Sequence, residues 1–154
     1  MSNARRLHLA LQEHVVSDPR ENIKFVQELY AAFASRDIPR ILSALSPTVE
    51  WGEPSNPHNP AAGTRHGHSG FLEWVRLGNE SEEVLALEPQ DFLANSNSVA
   101  VVGRTKCRVR ATGKEYETDF VHLVSLKNGK VERFREFFDT YAAAEAFRAI
   151  PTDA

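Results

Sequence analysis

The second half of the chain carries the feature that most constrains its fold, a series of predicted β-strands joined by short turns. Asn128-Gly129 is the strongest short hairpin signal, because a two-residue type I′ turn needs positive φ at both positions. Thr112-Gly113-Lys114 is a second tight turn with glycine at the expected place. The strands that these turns connect are predicted over 84–93, 98–110, 115–126 and 131–138. Neighbouring strands joined this way form an antiparallel meander.

Helices precede these strands. Apolar residues at three- and four-residue spacing predict a helix over 21–35, with Asp18 as N-cap and Pro19 in its first turn. We expect Asp37 to cap a second short helix that ends at Pro47. Further helices are predicted over 70–77 and 140–149, capped by Ser69 and Asp139. Helices followed by an antiparallel meander indicate an α+β fold rather than an alternating α/β fold.

The region between the second and third helices holds a short predicted strand over 48–51 and a proline-containing loop over 52–67. A loop of this length in a compact domain is usually functional or mobile. His58, His66 and His68 lie in or beside it, and a His-x-His pair can chelate a metal. No cysteine and no clear Asp or Glu spacing accompanies them, so we predict no metal site.

The composition is that of an ordinary globular protein. The 154 residues fit one domain, which we place at 20–150 after an N-terminal arm over 1–19. A net charge of −3 gives no electrostatic basis for nucleic-acid binding. Apolar runs stop well short of the roughly 18 residues that a membrane span needs. The single cysteine, Cys107, excludes a disulfide within the chain and favours a reducing compartment, so we expect a cytoplasmic protein.

The last predicted hairpin has a recognisable sequence. The segment Asn-Gly-Lys-Val-Glu-Arg-Phe-Arg-Glu-Phe-Phe-Asp over 128–139 resembles the final hairpin of SnoaL-like proteins, which are related to polyketide cyclases and ketosteroid isomerases. The first helix with Tyr30, the Arg36-Asp37 break and the Leu45–Trp51 segment are similar to other parts of that family, and the likeness extends over about 21–147. It implies an NTF2-like cone, in which a strongly curved sheet wraps around the first helix and encloses a pocket, and usually a homodimer. Fold alone does not give function.

Strand alternation brings a histidine and a carboxyl together on an apolar face. Residues two apart on a strand share a face, which groups His122 with Phe120 on one strand and Glu136 with Phe134 and Phe138 on the next. A hairpin at 128–129 sets these faces side by side. An acid on such a face is costly unless it is paired or used, and an apolar site can poise a carboxyl as an acid or base near neutral pH.

Glu136 is therefore the first catalytic candidate, and a solvated or arginine-paired carboxyl at the rim is its alternative reading. His122 is the second, since a histidine beside a carboxylate can shuttle protons; a buried histidine with one structural hydrogen bond is the alternative. Glu53 is the third, because ketosteroid isomerases place their catalytic acid in a similar Thr-Val-Glu-x-Pro neighbourhood. Its alternative is an exposed loop acid.

The substrate-binding candidates are mostly aromatic. Tyr30 is interpreted as pocket wall, although a helix tyrosine in the related isomerases donates a hydrogen bond to an enolate oxygen. The full set is Tyr30, Trp51, Thr118, Phe120, Phe134 and Phe138. The role of Asp119, on the opposite face, stays open between a dimer-interface acid and a catalytic one. In the similar limonene epoxide hydrolases an aspartate stands where Glu136 stands, but the other acid they need is missing near Gly103 and Thr105, which disfavours epoxide hydrolysis.

The hypothesis that follows is an isomerase or aldol-type cyclase without a cofactor. It would act by proton transfer on a small hydrophobic carbonyl compound, with Glu136 or Glu53 as base and His122 as proton partner. The alternative is a non-catalytic module that binds a small ligand or dimerises. The expected partners are a small hydrophobic ligand and a second copy of the chain, with no nucleic acid and no membrane.

Overall fold

The structure, a computed structural model, describes residues 17–149. Its helices are α1 (Pro19–Ala34), α2 (Ile38–Ala44), α3 (Gly67–Ser81) and α4 (Thr140–Phe147). Its strands are β1 (Leu45–Glu53), β2 (Gly63–His66), β3 (Glu82–Ala94), β4 (Ser98–Val109), β5 (Glu115–Lys127) and β6 (Lys130–Phe138). Residues 1–16, which belong to the predicted N-terminal arm, lie outside this range, and the division into an arm and a domain stays a prediction.

Three of the four predicted helix caps are confirmed. The Asp18, Asp37 and Asp139 carboxylates accept hydrogen bonds from backbone N–H groups in the first turns of α1, α2 and α4, at 2.9, 3.2 and 3.0 Å. The cap predicted at Ser69 is wrong, because α3 begins earlier, at Gly67. Gly67 has a φ of 72°, which lets the chain pass from β2 into the helix without a loop.

The six strands form one curved, open sheet in the order β2-β1-β6-β5-β4-β3. The predicted meander from β3 to β6 is antiparallel throughout. The Asn128-Gly129 turn has the positive φ values expected, 52° and 72°, and sets Lys127 opposite Lys130.

The strand β1 pairs parallel to β6 and so joins the first half of the chain to the second. It also pairs antiparallel with β2, so the predicted loop over 52–67 is wrong at both ends. The unpaired stretch is 54–62, and the four-residue β2, Gly-Thr-Arg-His, has too little apolar alternation to predict a strand.

The main core lies between the concave face of the sheet and the helices α1, α2 and α3. Its fully buried side chains include Val26, Ile41, Val49, Phe71, Val99, Val101 and Phe120. This arrangement is the predicted α+β cone, with the curved sheet around the first helix. Among residues 17–149, no helix is both long and apolar enough to span a bilayer.

Candidate active site

The register of three strands brings Glu53, Glu136 and His122 into one row across the concave face. Glu136 lies directly opposite His122 in the β5–β6 pair. In the parallel β1–β6 pair Trp51 lies beside Phe134 and Gly52 beside Arg135, so the next step of the register brings Glu53 beside Glu136. The three predicted catalytic residues therefore meet, although they come from positions up to 83 residues apart.

A series of polar contacts runs through this row. The Tyr30 hydroxyl on α1 lies 2.5 Å from His122 Nδ1, and His122 Nε2 lies 3.0 Å from Glu136 Oε1. Glu136 lies beside Glu53 on the neighbouring strand, and the two carboxyls can form a hydrogen bond when one of them carries a proton. At the far end Trp74 Nε1 on α3 donates to Glu53 Oε2 at 3.1 Å. Five elements of secondary structure thus contribute one group each.

The histidine in this chain is neutral. His122 is buried, with 6% of its surface exposed, and burial lowers its pKa to about 3. Its contact with Glu136 is therefore a hydrogen bond rather than an ion pair. A neutral imidazole has one N–H and one acceptor nitrogen, so it can donate to one neighbour while it accepts from the other. Exchange of the two tautomers would pass a proton between Tyr30 and Glu136.

The two carboxyls hold at least one proton between them near neutral pH. Burial is the largest cause in both cases and raises the pKa of Glu136 to about 7 and that of Glu53 to about 9. The charge of Glu136 raises the pKa of Glu53 further. Two such coupled groups titrate as a pair, so the proton belongs to both. The pair can accept a proton on one carboxyl and donate one from the other.

Aromatic rings surround the row. The Trp51 and Phe134 rings stack with centroids 4.0 Å apart at 11°, and the Phe120 ring stacks on His122 at 4.1 Å and 21°. Phe120 can lie over β4 only because Gly103 has no side chain: a Cβ there would be 2.5 Å from Phe120 Cζ and 2.4 Å from the backbone oxygen of Glu88. The packing of the Phe120 ring thus requires glycine at position 103.

Thr118 and Phe138 lie farther along the same face of the sheet. Neither side chain forms a hydrogen bond with the row of polar groups from Tyr30 to Trp74. The Thr118 hydroxyl donates to the backbone oxygen of Asp119 at 2.8 Å and accepts from the backbone N–H of Asp139 at 3.0 Å, so it serves the start of α4. Phe138 lies opposite Phe120 and packs against the core. The Asp119 side chain lies on the other face, 81% exposed, in an ion pair with Arg104 at 3.1 Å. Contact of Thr118 or Phe138 with a substrate stays a prediction.

Trp74, whose indole N–H donates to Glu53, is a member of this row that the sequence does not single out. Its residue type was the available signal, because a tryptophan packed against a core usually finds an acceptor for its N–H.

The sequence analysis also does not single out a second, partly buried polar contact. The Tyr116 hydroxyl donates to Glu82 Oε1 at 2.7 Å, and burial raises the pKa of Glu82 and, to about 11, that of the neighbouring Cys107 thiol.

One histidine of the proline-containing region makes a contact between two elements of the fold. His68 Nε2 lies 3.0 Å from the backbone oxygen of Leu45 and so links α3 to β1. Within residues 17–149 no cluster of three His, Cys, Asp or Glu side chains has a metal-binding arrangement.

A cavity of about 530 Å³ opens on the surface between α1 and the turns around 96–97 and 127–129. It contains none of the predicted site residues, so an enclosed ligand pocket beside Glu136 stays a prediction.

Solved structures with the same architecture include close matches over nearly their full lengths. An NTF2-like protein from Burkholderia xenovorans LB400 is 31% identical with a TM-score of 0.78, covering 85% of this chain and 98% of that one. An NTF2-like protein of unknown function from Burkholderia pseudomallei K96243 is 28% identical with a TM-score of 0.72, covering 83% and 98%. TerC, co-crystallised with polyporic acid, is 31% identical with a TM-score of 0.68, covering 82% and 97%.

None of the curated proteins compared with the chain matches it. The sequence model of the SnoaL-like domain matches residues 26–134, which is well over half of the chain. Together with the NTF2-like structural relatives, this match shows that the chain belongs to the SnoaL-like family of the NTF2-like fold.

Proposed function

We propose that this protein is a cofactor-free enzyme that transfers a proton on a small hydrophobic carbonyl compound, as an isomerase or an aldol-type cyclase. The observation that carries the proposal is the partly buried Glu53–Glu136 pair, in which burial raises the pKa of both carboxyls, and its link through His122 to Tyr30. Carboxyls whose pKa values lie near neutral pH are suited to general acid–base catalysis.

The pair supplies both halves of such a reaction. Its ionised carboxylate takes a proton from the carbon next to the substrate carbonyl, which leaves an enolate and two protonated carboxyls. In an isomerase one carboxyl then returns a proton to a different carbon. In a cyclase the enolate carbon instead attacks a second carbonyl carbon of the same molecule, and the alkoxide formed takes the proton. Either sequence restores the singly protonated pair.

The surroundings of the pair favour a flat, apolar substrate. The rings of Trp51, Phe134 and Phe120 offer faces for stacking, while Trp74 and His122 orient the two carboxyls. The ligand in the TerC crystal, polyporic acid, supports an oxygenated ring compound as the ligand class.

The test is deuterium exchange from D2O into the carbon next to the carbonyl of 2-tetralone, followed by NMR. Glu136→Gln and Glu53→Gln are each expected to slow exchange by about 10²-fold or more, because loss of a general base typically costs that much. The matched control is Glu132→Gln, an exposed acid on the same strand β6, which should leave the rate unchanged. Exchange that survives both changes would remove the pair from the mechanism.

The pH dependence gives a separate check. Exchange needs one ionised and one protonated carboxyl, so the rate should rise as the first proton leaves near pH 7 and fall as the second leaves near pH 9. A rate that rises steadily through both values would contradict the role of the pair.

Ligand binding without turnover is the second candidate, and the complex of TerC with polyporic acid favours it. Binding of polyporic acid by the wild-type protein, with no exchange on any ketone, would support it over the enzyme.

A homodimer is part of the proposal in either case. Large apolar side chains are exposed on this chain, among them Val84 at 60%, Leu93 at 59% and Tyr141 at 75%, and a partner copy could cover them. The mass measured by light scattering distinguishes a dimer from a monomer. The cytoplasmic location stays a prediction.

A further inference from the structure

We propose that the indole N–H of Trp51 is the donor that recognises an oxygen atom of the ligand, which makes the ligand a ring compound with a phenolic, enolic or carbonyl oxygen. The proposal deepens the proposed function, since it concerns a ligand in the same interior, but it does not require turnover.

The Trp51 N–H is the unusual group in the site. Trp51 is 3% exposed, and its Nε1 atom has no hydrogen-bond partner in the structure. A buried donor without a partner is rare and costly, so each case calls for an explanation. The other indole of the site, that of Trp74, is satisfied by Glu53. The two tryptophans of the chain therefore differ in this one respect.

Its position is next to the carboxyl pair. Trp51 and Glu53 are two residues apart on one face of β1, and their neighbours on β6, Phe134 and Glu136, have the same spacing. Two residues along a strand span about 7 Å. This is close to the length of one aromatic ring with its oxygen substituent. A ligand whose oxygen meets the Trp51 N–H can thus extend its ring carbons toward the two carboxyls.

The chemistry of the indole sets the ligand class. An indole N–H can only donate, so its partner must be an acceptor. A hydrocarbon has no acceptor, and a protonated amine has only donors. A carbonyl, enol or phenol oxygen fits, and its ring can lie among the aromatic side chains that stack around Trp51. As negative charge develops on that oxygen, the same hydrogen bond becomes stronger.

The experiment uses the two indole ¹H–¹⁵N signals of the full chain, which Trp51→Phe assigns because only two tryptophans are present. In the free protein the Trp74 proton is expected at a hydrogen-bonded, downfield position and the Trp51 proton upfield of it. Addition of phenol should move the Trp51 proton downfield, whereas toluene, of similar shape but without oxygen, should not. The Trp74 signal serves as an internal reference.

The variant adds a second measurement. Trp51→Phe keeps an aromatic ring and removes the N–H, so phenol should bind about tenfold more weakly. The smaller ring also leaves a cavity in the core, so the melting temperature of the free protein should fall. Toluene affinity should be unaffected.

Three results would overturn the proposal: a Trp51 proton that is already downfield without ligand and does not move, an equal response to phenol and toluene, or no response to phenol. None of these results depends on the deuterium-exchange assay. The proposed catalysis and the proposed role of Trp51 can therefore fail independently of each other.

Discussion

Replacing Glu136 with glutamine should make the stability of the protein less dependent on pH. Glu136 is a carboxyl in an apolar interior, with 16% of its side chain exposed, and burial raises its pKa from 4.5 to about 7. A difference of that size corresponds to about 3 kcal/mol between the folded and unfolded states, at about 1.4 kcal/mol per pKa unit. Glutamine has nearly the same shape, keeps an acceptor oxygen for His122 and never ionises.

The sign follows from proton binding. Because its pKa is raised on folding, Glu136 holds a proton in the folded state that the unfolded chain has lost over the range from pH 4.5 to about 7. Stability therefore falls as pH rises through that range. The free energy of unfolding of Glu136→Gln, relative to wild type, should increase by up to about 3 kcal/mol between about pH 4 and pH 8.

The assay is urea unfolding of both proteins at a series of pH values, with the exposed Glu132→Gln as the matched control. His122 contributes with the opposite sign, since its pKa is lowered to about 3 and it loses stability as pH falls below 6.5. His122 is present in both proteins, so its contribution to the free energy of unfolding largely cancels when the variant is compared with wild type. A difference between wild type and Glu136→Gln that does not change with pH would refute the claim that this carboxyl is held protonated by burial.

Substitutions at three further positions test the site and the helix caps of the fold. Tyr30→Phe leaves His122 Nδ1 without its buried partner and should lower the free energy of unfolding by about 1–3 kcal/mol, measured by urea unfolding; an unchanged value would mean that the hydrogen bond contributes nothing. Gly103→Ala should destabilise by about 1–3 kcal/mol, because the new methyl group meets a backbone oxygen and the Phe120 ring; a melting temperature equal to that of wild type would contradict this. Asp37→Ala removes the cap of α2 and should cost about 1 kcal/mol in the same assay, whereas Asp37→Asn should cost less.

The His122–Glu136 contact could be predicted from the sequence because every step that produces it is local. The Asn128-Gly129 turn determines which residues of β5 and β6 lie opposite each other, and strand periodicity determines which of them point inward. The caps at Asp18, Asp37 and Asp139 were predictable for the same reason, since each depends on a few consecutive residues.

The rest of the site depends on contacts between distant segments. Glu53 joins Glu136 only through the parallel pairing of β1 with β6, and no turn sets the register of two strands that lie so far apart in sequence. Tyr30 and Trp74 reach the row because α1 and α3 pack against the concave face, at angles that their own apolar patterns do not specify. The chain alone thus determined the turns, the strand faces and one hydrogen-bonded pair. The paired carboxyls and the unpartnered indole arise only from tertiary packing, because their neighbours come from elements with no local connection.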